Sequence, residues 1–391
     1  MKRIAIGKTG LKVNRLGFGG IPIARVDESQ AVETVLHAVE SGVDFIDTAR
    51  NYKTSERRIG MALQQTDKRV VLASRSQGRT ADDIRADLET SLKELQKDYL
   101  DLYRCHFVRD DQVYQEIIAP GGALEGLMQA KQEGMIGHIG LTNHSLDLLE
   151  RVVDEGLFET IMVCYSFLEP KAKESIIPKA LAKNIGVIAM KSFSGGVIDD
   201  PQLALKYVLS QPDIIIIPGV ETKELFDQNR KVFQGSYSLS PAEKLKIETI
   251  RNRYGKSFCR RCDYCQPCRE EVPIQLVLGV RSALKRFGKS FLQEGWPREA
   301  IDKARNCSEC GDRSRPGHTP PRNRDLLKTF GLIMLQLNPC NGFRVGSKQH
   351  LEYFVLLLLP QVFGFQESEV MGPAPFLAGA RFYFCGLCCQ K

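Results

Sequence analysis

The chain has 391 residues, 43% hydrophobic and 26% charged, the balance of an ordinary soluble globular protein and enough length for one large barrel with an appendage. No apolar run of about 18 residues is present, and the basic start MKRIAIGKTGLKV has no apolar segment behind it, so neither a membrane span nor a secretory signal is expected and a cytoplasmic location is. The net charge is +7, but most of the excess lies in residues 313–391, so residues 1–312 carry no basic footprint for nucleic acid.

In chain order, short apolar runs alternate with segments of helical periodicity. Leu16 to Phe18 reads as a strand, Glu28 to Ser41 as a helix, Val43 to Ile46 as a strand and Ser55 to Leu63 as a helix. Val70 to Ala73, Leu100 to Tyr103, Ile136 to Leu141, Ile161 to Val163, Val187 to Ala189 and Ile214 to Ile217 are the later strands. Helices are expected over Thr80 to Leu95, Ala123 to Glu133, Ser145 to Glu155, Ser175 to Lys183, Gln202 to Leu209 and Glu224 to Phe233. Eight strand and helix pairs in about 230 residues predict an α/β fold, a (β/α)8 TIM barrel. A doubly wound open sheet shares the alternation, but no G-x-G-x-x-G follows the first strand.

In such a barrel, reactive groups gather at the C-terminal ends of strands. Asp47 ends the second strand, Tyr52 lies in the loop after it, Arg75 follows the third strand and His106 the fourth. Singly, each has an ordinary structural explanation: a cap, a surface cation, a buried imidazole. Together, a carboxylate, a phenol, a cation and an imidazole make a proton-donating constellation.

The segments GKTGLKVNRLGFGG at 7–20, DFIDTARNYKTSERRIG at 44–60, DLYRCH at 101–106, GLTNHS at 140–145 and IPGVETKELFDQNRKVF at 217–233 together resemble the aldo-keto reductases over about residues 1–235. The resemblance implies hydride transfer from NADPH or NADH to a small-molecule carbonyl substrate, with Tyr52 as proton donor. Asp47, Tyr52 and His106 fall on three positions of the family tetrad, and Arg75 stands where the family has lysine. An arginine supplies the positive charge and cannot lose it, but its fork is bulkier than an ammonium. The resemblance also implies cofactor contacts from Thr142, Asn143, Tyr165, Lys191, Gly219, Thr222 and Asn229. Met190 stands where many members stack an aromatic ring on the nicotinamide. Gly219 and Leu225 stand where basic residues meet a 2'-phosphate; Lys223 is a partial substitute, which leaves the choice between NADH and NADPH open.

Beyond a capped helix expected from Ser240, the cysteines crowd together. Cys259, Cys262, Cys265 and Cys268 are spaced evenly, and Cys307 and Cys310 follow. Thiolates this close suit an iron–sulfur cluster, with zinc held by two C-x2-C pairs as the competing reading. One branch of the aldo-keto reductases carries a C-terminal two-cluster ferredoxin-like domain, and this segment resembles its first half. The second run departs from that pattern at Arg313 and Gly317, which removes two of its ligands and favours one 4Fe-4S cluster over two.

The expected domains are therefore a barrel over 1–240, a small helical, cysteine-rich ferredoxin-like appendage over 241–312 and an irregular tail over 313–391. Residues 313–323 and the chain beyond about 330 read as a frame alteration, since Asp325 to Lys328 resembles the family in register. Cys385, Cys388 and Cys389 are candidate replacement ligands. Besides a carbonyl reductase, two other functions fit the sequence: an electron-transfer protein passing electrons from nicotinamide through clusters to a partner, and a non-catalytic binding barrel.

Overall fold

The computed structural model describes residues 3–254, Cys259, 268–288 and 290–307. The chain divides into two compact units, residues 1–262 and 263–391.

The first unit opens with an antiparallel hairpin, β1 (Arg3–Ala5) and β2 (Lys12–Asn14), which the sequence did not predict. Eight parallel strands follow: β3 (Phe18–Gly19), β4 (Phe45–Asp47), β5 (Val71–Ser76), β6 (Leu100–Cys105), β7 (Ile136–Thr142), β8 (Thr160–Cys164), β9 (Gly186–Met190) and β10 (Ile215–Ile216). Each pairs with the next in the chain, and parallel bridges Leu16–Ile216 and Gly19–Gly219 join the first to the last. The sheet thus closes on itself as a barrel. Every residue of β5, β6 and β8 is buried, as strands covered on both faces require.

Inside the barrel, Phe45, Val71, Ala73, Leu102, Met162, Ile188, Ile215 and Ile217 form one apolar cluster. Ile4, Ile6 and Val13 of the hairpin complete it. The hairpin sits at the N-terminal end of the strands, where Lys8 N donates to Asn184 O at 2.7 Å just before β9. A larger cluster lies between strands and helices. Its helices are α1 (Glu28–Glu40), α2 (Ser55–Leu63), α3 (Ala81–Leu95), α4 (Asp111–Ile118), α5 (Ala123–Gln132), α6 (Leu146–Glu155), α7 (Ile176–Ala182), α8 (Pro201–Leu209), α9 (Lys223–Gln234) and α10 (Pro241–Tyr254). Several begin at a side-chain cap, with Asp27, Thr80, Asp110, Ser145, Asp200 and Thr222 each accepting from a backbone N–H in the first turn. Helix α4 was not foreseen. Helix α10, which the sequence places beyond the barrel boundary at 240, lies in the first unit because Ile247 is buried in the barrel's outer cluster.

In the second unit, α11 (Ile274–Phe287) and α12 (Gly295–Ala304) enclose a small core of Val272, Val277, Val280, Ala283, Leu292, Ala300 and Ile301. Cys268 and Cys307 pack against it. Cys262, Cys265, Cys310 and the tail with Cys385, Cys388 and Cys389 lie outside the described residues. Among the described residues no group of three metal-ligating side chains is assembled, and no helix is long and apolar enough to cross a membrane.

The close approach of α2 to α3 depends on Gly60. A Cβ there would lie 2.6 Å from the Glu94 carbonyl oxygen and 2.8 Å from that of Leu95, so α2 and α3 would have to separate. We expect Gly60→Ala to destabilise the protein by about 1–3 kcal/mol, read as a lower urea midpoint with an unchanged slope.

Candidate active site

Strand pairing builds the site. Asp47 is in register with Ala73, and Arg75 with Arg104. Side chains two apart along a strand share a face, so Asp47 follows Phe45, Arg75 follows Ala73 and Arg104 follows Leu102 into the barrel interior. Below them is the apolar cluster; this next layer is charged. Room for it comes from Gly140, the partner of Arg104 on β7: a Cβ there would lie 2.7 Å from Arg104 Cγ and 2.2 Å from Thr160 Oγ1.

The Asp47 carboxylate is shared. Its Oδ1 accepts from Arg75 Nη1 and its Oδ2 from Arg104 Nη2, with all three side chains at most 5% exposed. The other arm of Arg75 donates from Nη2 to the Tyr52 hydroxyl oxygen at 2.5 Å. Because the phenol oxygen accepts here, its own proton is directed elsewhere. The Arg75 guanidinium carbon lies 5.1 Å from the Tyr52 ring centroid. The His106 imidazole also stands edge-on to this ring, centroids 5.9 Å apart and planes at 87°.

Charge is distributed unevenly. Burial opposes protonation of Arg75, but Asp47 and Tyr52 outweigh it and hold the guanidinium above its ordinary range. Burial pulls Arg104 below its ordinary value, with Asp47 only partly offsetting this and the charge of Arg75 adding to it. His106 is held well below the usual imidazole value, first by burial and then by Arg75, Arg104, Arg79 and Lys191, so it is neutral at pH 7. Arg79 also donates from Nη2 to the carbonyls of His106 and Phe107, at 3.0 and 3.1 Å, fixing the turn after β6.

Tyr52, Arg75 and His106 line a cavity of about 250 Å³ with Thr142, Asn143, His144, Met190 and Lys191. Its remaining walls are Asn51, Gln77 and Phe107, so among the described residues no acid lines it. Three non-glycine residues around it have left-handed backbones: Lys53 beside Tyr52, Phe107 and Lys191, with φ of 52, 50 and 59°. Such conformations persist only where surrounding contacts hold them.

The seven residues that the resemblance assigns to the cofactor fall in several places. Thr142 and Asn143 line the cavity, but their polar atoms serve the chain: Thr142 Oγ1 accepts from Phe107 N at 2.9 Å, and the Asn143 amide donates to Val108 O and accepts from Ser145 N. Lys191 also lines it, with Nζ 3.0 Å from His144 Nε2. Tyr165 is fully buried behind the wall, its ring centroid 5.6 Å from that of Tyr207. Gly219 sits on the closing seam opposite Gly19, where a Cβ would lie 2.7 Å from Pro22 Cγ. Thr222 caps α9, accepting from Leu225 N at 3.2 Å. Asn229 faces a second cavity of about 470 Å³, bordered by Asp199, Asp200, Gln202, Lys246 and Arg253. Lys223 pairs at the surface with Glu33 at 2.9 Å.

The residue missed from the sequence is Arg104. Strand alternation through DLYRCH places Leu102, Arg104 and His106 on one face, which was signal enough to find it.

Residues 15–202 match the model of the aldo/keto reductase family. An L-galactose dehydrogenase of Arabidopsis thaliana is 31% identical over 218 residues, which are 50% of this chain and 66% of the relative. Aldo-keto reductase YhdN of Bacillus subtilis is 30% identical over 217 residues, 51% of this chain and 64% of the relative. The chain thus spans just under two thirds of the length of these relatives. Among solved structures, an aldo-keto reductase from Klebsiella pneumoniae in complex with NADPH superposes with a TM-score of 0.55 at 23% identity, covering 64% of this chain and 95% of that one. At that identity the likeness shows the fold.

Burial of neutral His106 has a pH signature. Unfolded, this imidazole takes up a proton below about pH 6.5, while the folded protein does not, so stability is present above that pH and is lost as pH falls through it. We expect urea stability to decline between pH 7 and 5 with a limiting slope of about 1.4 kcal/mol per unit from this residue, and His106→Gln to remove that part of the decline.

Proposed function

We propose that this chain, whose residues 15–202 match the aldo/keto reductase family, reduces small carbonyl compounds with NADPH or NADH, Tyr52 giving the proton. The observation that carries this reading is the fork of Arg75, which holds Asp47 on one arm and the Tyr52 oxygen, at 2.5 Å, on the other.

The residues present suit a nicotinamide dinucleotide. The cavity lies at the C-terminal strand ends, its wall carries Met190 and uncharged amides, and among the described residues lining it no acid opposes an anionic ligand. Ser192 Oγ, just past β9, is buried without a hydrogen-bond partner in the protein. Gly219 brings bare backbone to the seam ahead of α9, whose N-terminus offers N–H groups of the kind that hold phosphates. Lys191, Thr142 and Asn143 line this face, Thr222 caps the α9 end that would meet the phosphates, and Tyr165 and Asn229 lie away from it. The cofactor, when bound, supplies the hydride.

The protein's own part is positioning and proton transfer. With the phenol oxygen already accepting from Arg75, the Tyr52 proton is free to point at a carbonyl oxygen in the cavity. As that proton leaves, negative charge develops on the Tyr52 oxygen directly beside a guanidinium that cannot deprotonate. Arg75 thereby takes over the task of the family's lysine, its longer fork being accommodated by engaging Asp47 and Tyr52 at once. Neutral His106, edge-on to Tyr52, can donate a hydrogen bond to the same carbonyl and orient it.

An iron–sulfur cluster at Cys259, Cys262, Cys265, Cys268, Cys307 and Cys310, with an electron-transfer partner, is the second reading. What favours it is that Cys268 and Cys307, from the two cysteine runs, pack on one small core. Iron and sulfide content of anaerobically purified protein tests it. Thiolate ligands of this kind need a reducing compartment, which goes with a cytoplasmic enzyme.

For the reductase, the test is oxidation of NADPH and NADH across aldehydes and quinones, with Tyr52→Phe alongside. Turnover should fall by about 100- to 10,000-fold in the variant while cofactor binding, followed by fluorescence, is kept. Wild-type turnover in Tyr52→Phe would overturn the assignment.

A further inference from the structure

We propose that Arg104 is a positioning residue for proton transfer at Tyr52: as the second cation on Asp47, it leaves the buried cluster with a net positive charge that favours the phenolate Tyr52 becomes. The inference rests on the reading of Tyr52 as proton donor.

A carboxylate facing one cation makes a neutral pair. Here Asp47 spends one oxygen on each guanidinium, so the buried trio carries one surplus positive charge. Arg104 is fully buried, and its Nε and Nη1 have no hydrogen-bond partner in the protein. A buried arginine so poorly satisfied burdens the fold, since an apolar side chain of its length would fill the same space without that cost. Gly140, with no side chain to obstruct it, provides the room. The arrangement makes sense through its electrostatic effect on its neighbours.

That effect has one direction. Facing Tyr52 are Asp47 from β4, Arg75 from β5, Arg104 from β6 and the neutral ring of His106. Arg79, Lys191 and His144 lie around the His106 side of the cavity, and Lys53 follows Tyr52 in the loop. On the α2 side, Arg50 is paired with Glu56. Asp47 is therefore the sole acid among the described residues facing the phenol, and it is already shared. When Tyr52 passes its proton to a carbonyl oxygen, its O–H bond breaks, the electron pair stays on the phenol oxygen, and the cluster of Asp47, Arg75, Arg104 and phenolate becomes neutral. Arg104 also fixes the plane of the carboxylate, and so the angle at which Arg75 reaches Tyr52.

The test uses Arg104→Met and Arg104→Lys in the full chain. Ultraviolet titration of each, differenced against the same protein carrying Tyr52→Phe, isolates the ionisation of one phenol among the 11 tyrosines. Removing the cation should move that ionisation to higher pH by on the order of one unit, and Lys should restore most of it. In carbonyl reduction Tyr52 must be protonated, so the alkaline fall of kcat should move up in parallel, with kcat at neutral pH down about tenfold and KM little changed. An unmoved ionisation in folded Arg104→Met would overturn the proposal, even if kcat dropped. If Arg104→Met does not fold, Arg104→Gln against Arg104→Lys makes the same comparison. A shifted ionisation in a protein that reduces no carbonyl would sustain the electrostatic role and refute the reductase reading, so the two failures are distinguishable.

Discussion

One carboxylate between two buried guanidiniums is the constraint on which the site depends. Asp47 alone keeps Arg75 and Arg104 from facing each other uncompensated inside the barrel. Like charges at that depth repel strongly and are poorly screened by solvent. The backbone meets this demand through register: Arg75 and Arg104 are paired across β5 and β6, Asp47 ends β4 opposite Ala73, two residues before Arg75, and β7 presents Gly140 beside Arg104. The apolar layer beneath makes the charged layer stronger, since it keeps water from entering from below.

The surrounding loops hold this arrangement from outside. Arg79 ties down the carbonyls that follow β6, Thr142 takes the N–H of Phe107, and Asn143 takes the carbonyl of Val108. His106 is thereby kept with its ring against Tyr52, its charge suppressed first by burial and then by four cations. Side chains that the family resemblance assigns to cofactor binding thus stiffen the wall beside Tyr52. One face of each serves the chain while the backbone turn they fix faces the cavity.

Much of this was legible in the sequence, for identifiable reasons. Buried parallel strands read as short apolar runs, and the reactive residues at their ends stood out because polar groups are rare there. The hairpin at Arg3–Asn14 was not legible: three-residue strands have too little periodicity, and Gly7 and Gly10 read as loop. Helix α10 looked like the start of another domain because its surface is mostly polar, and the burial of Ile247, with Ile250 and Tyr254 packed beside it and Arg251 donating to Phe167 O, assigns it to the barrel. The placement of Asn229 in a second cavity depends on how α9 packs beside α8 and α10, which no local pattern encodes. Arg104 is less legible because it sits inside a strand that is buried throughout, and only its alternation with Leu102 and His106 marks it as facing the barrel interior.

Arg75 and Arg104 are best understood as one unit. A lysine at position 75 would offer a point charge that one carboxylate oxygen could hold, leaving the other oxygen for solvent or backbone. An arginine there needs its two arms directed separately, one to Asp47 and one to Tyr52, and that direction is unique only if the carboxylate cannot rotate. Arg104, by occupying Oδ2, prevents the rotation. The same contact that orients Arg75 also removes half of the charge compensation Asp47 would give it, so geometric restraint and electrostatic bias on Tyr52 arise from a single side chain.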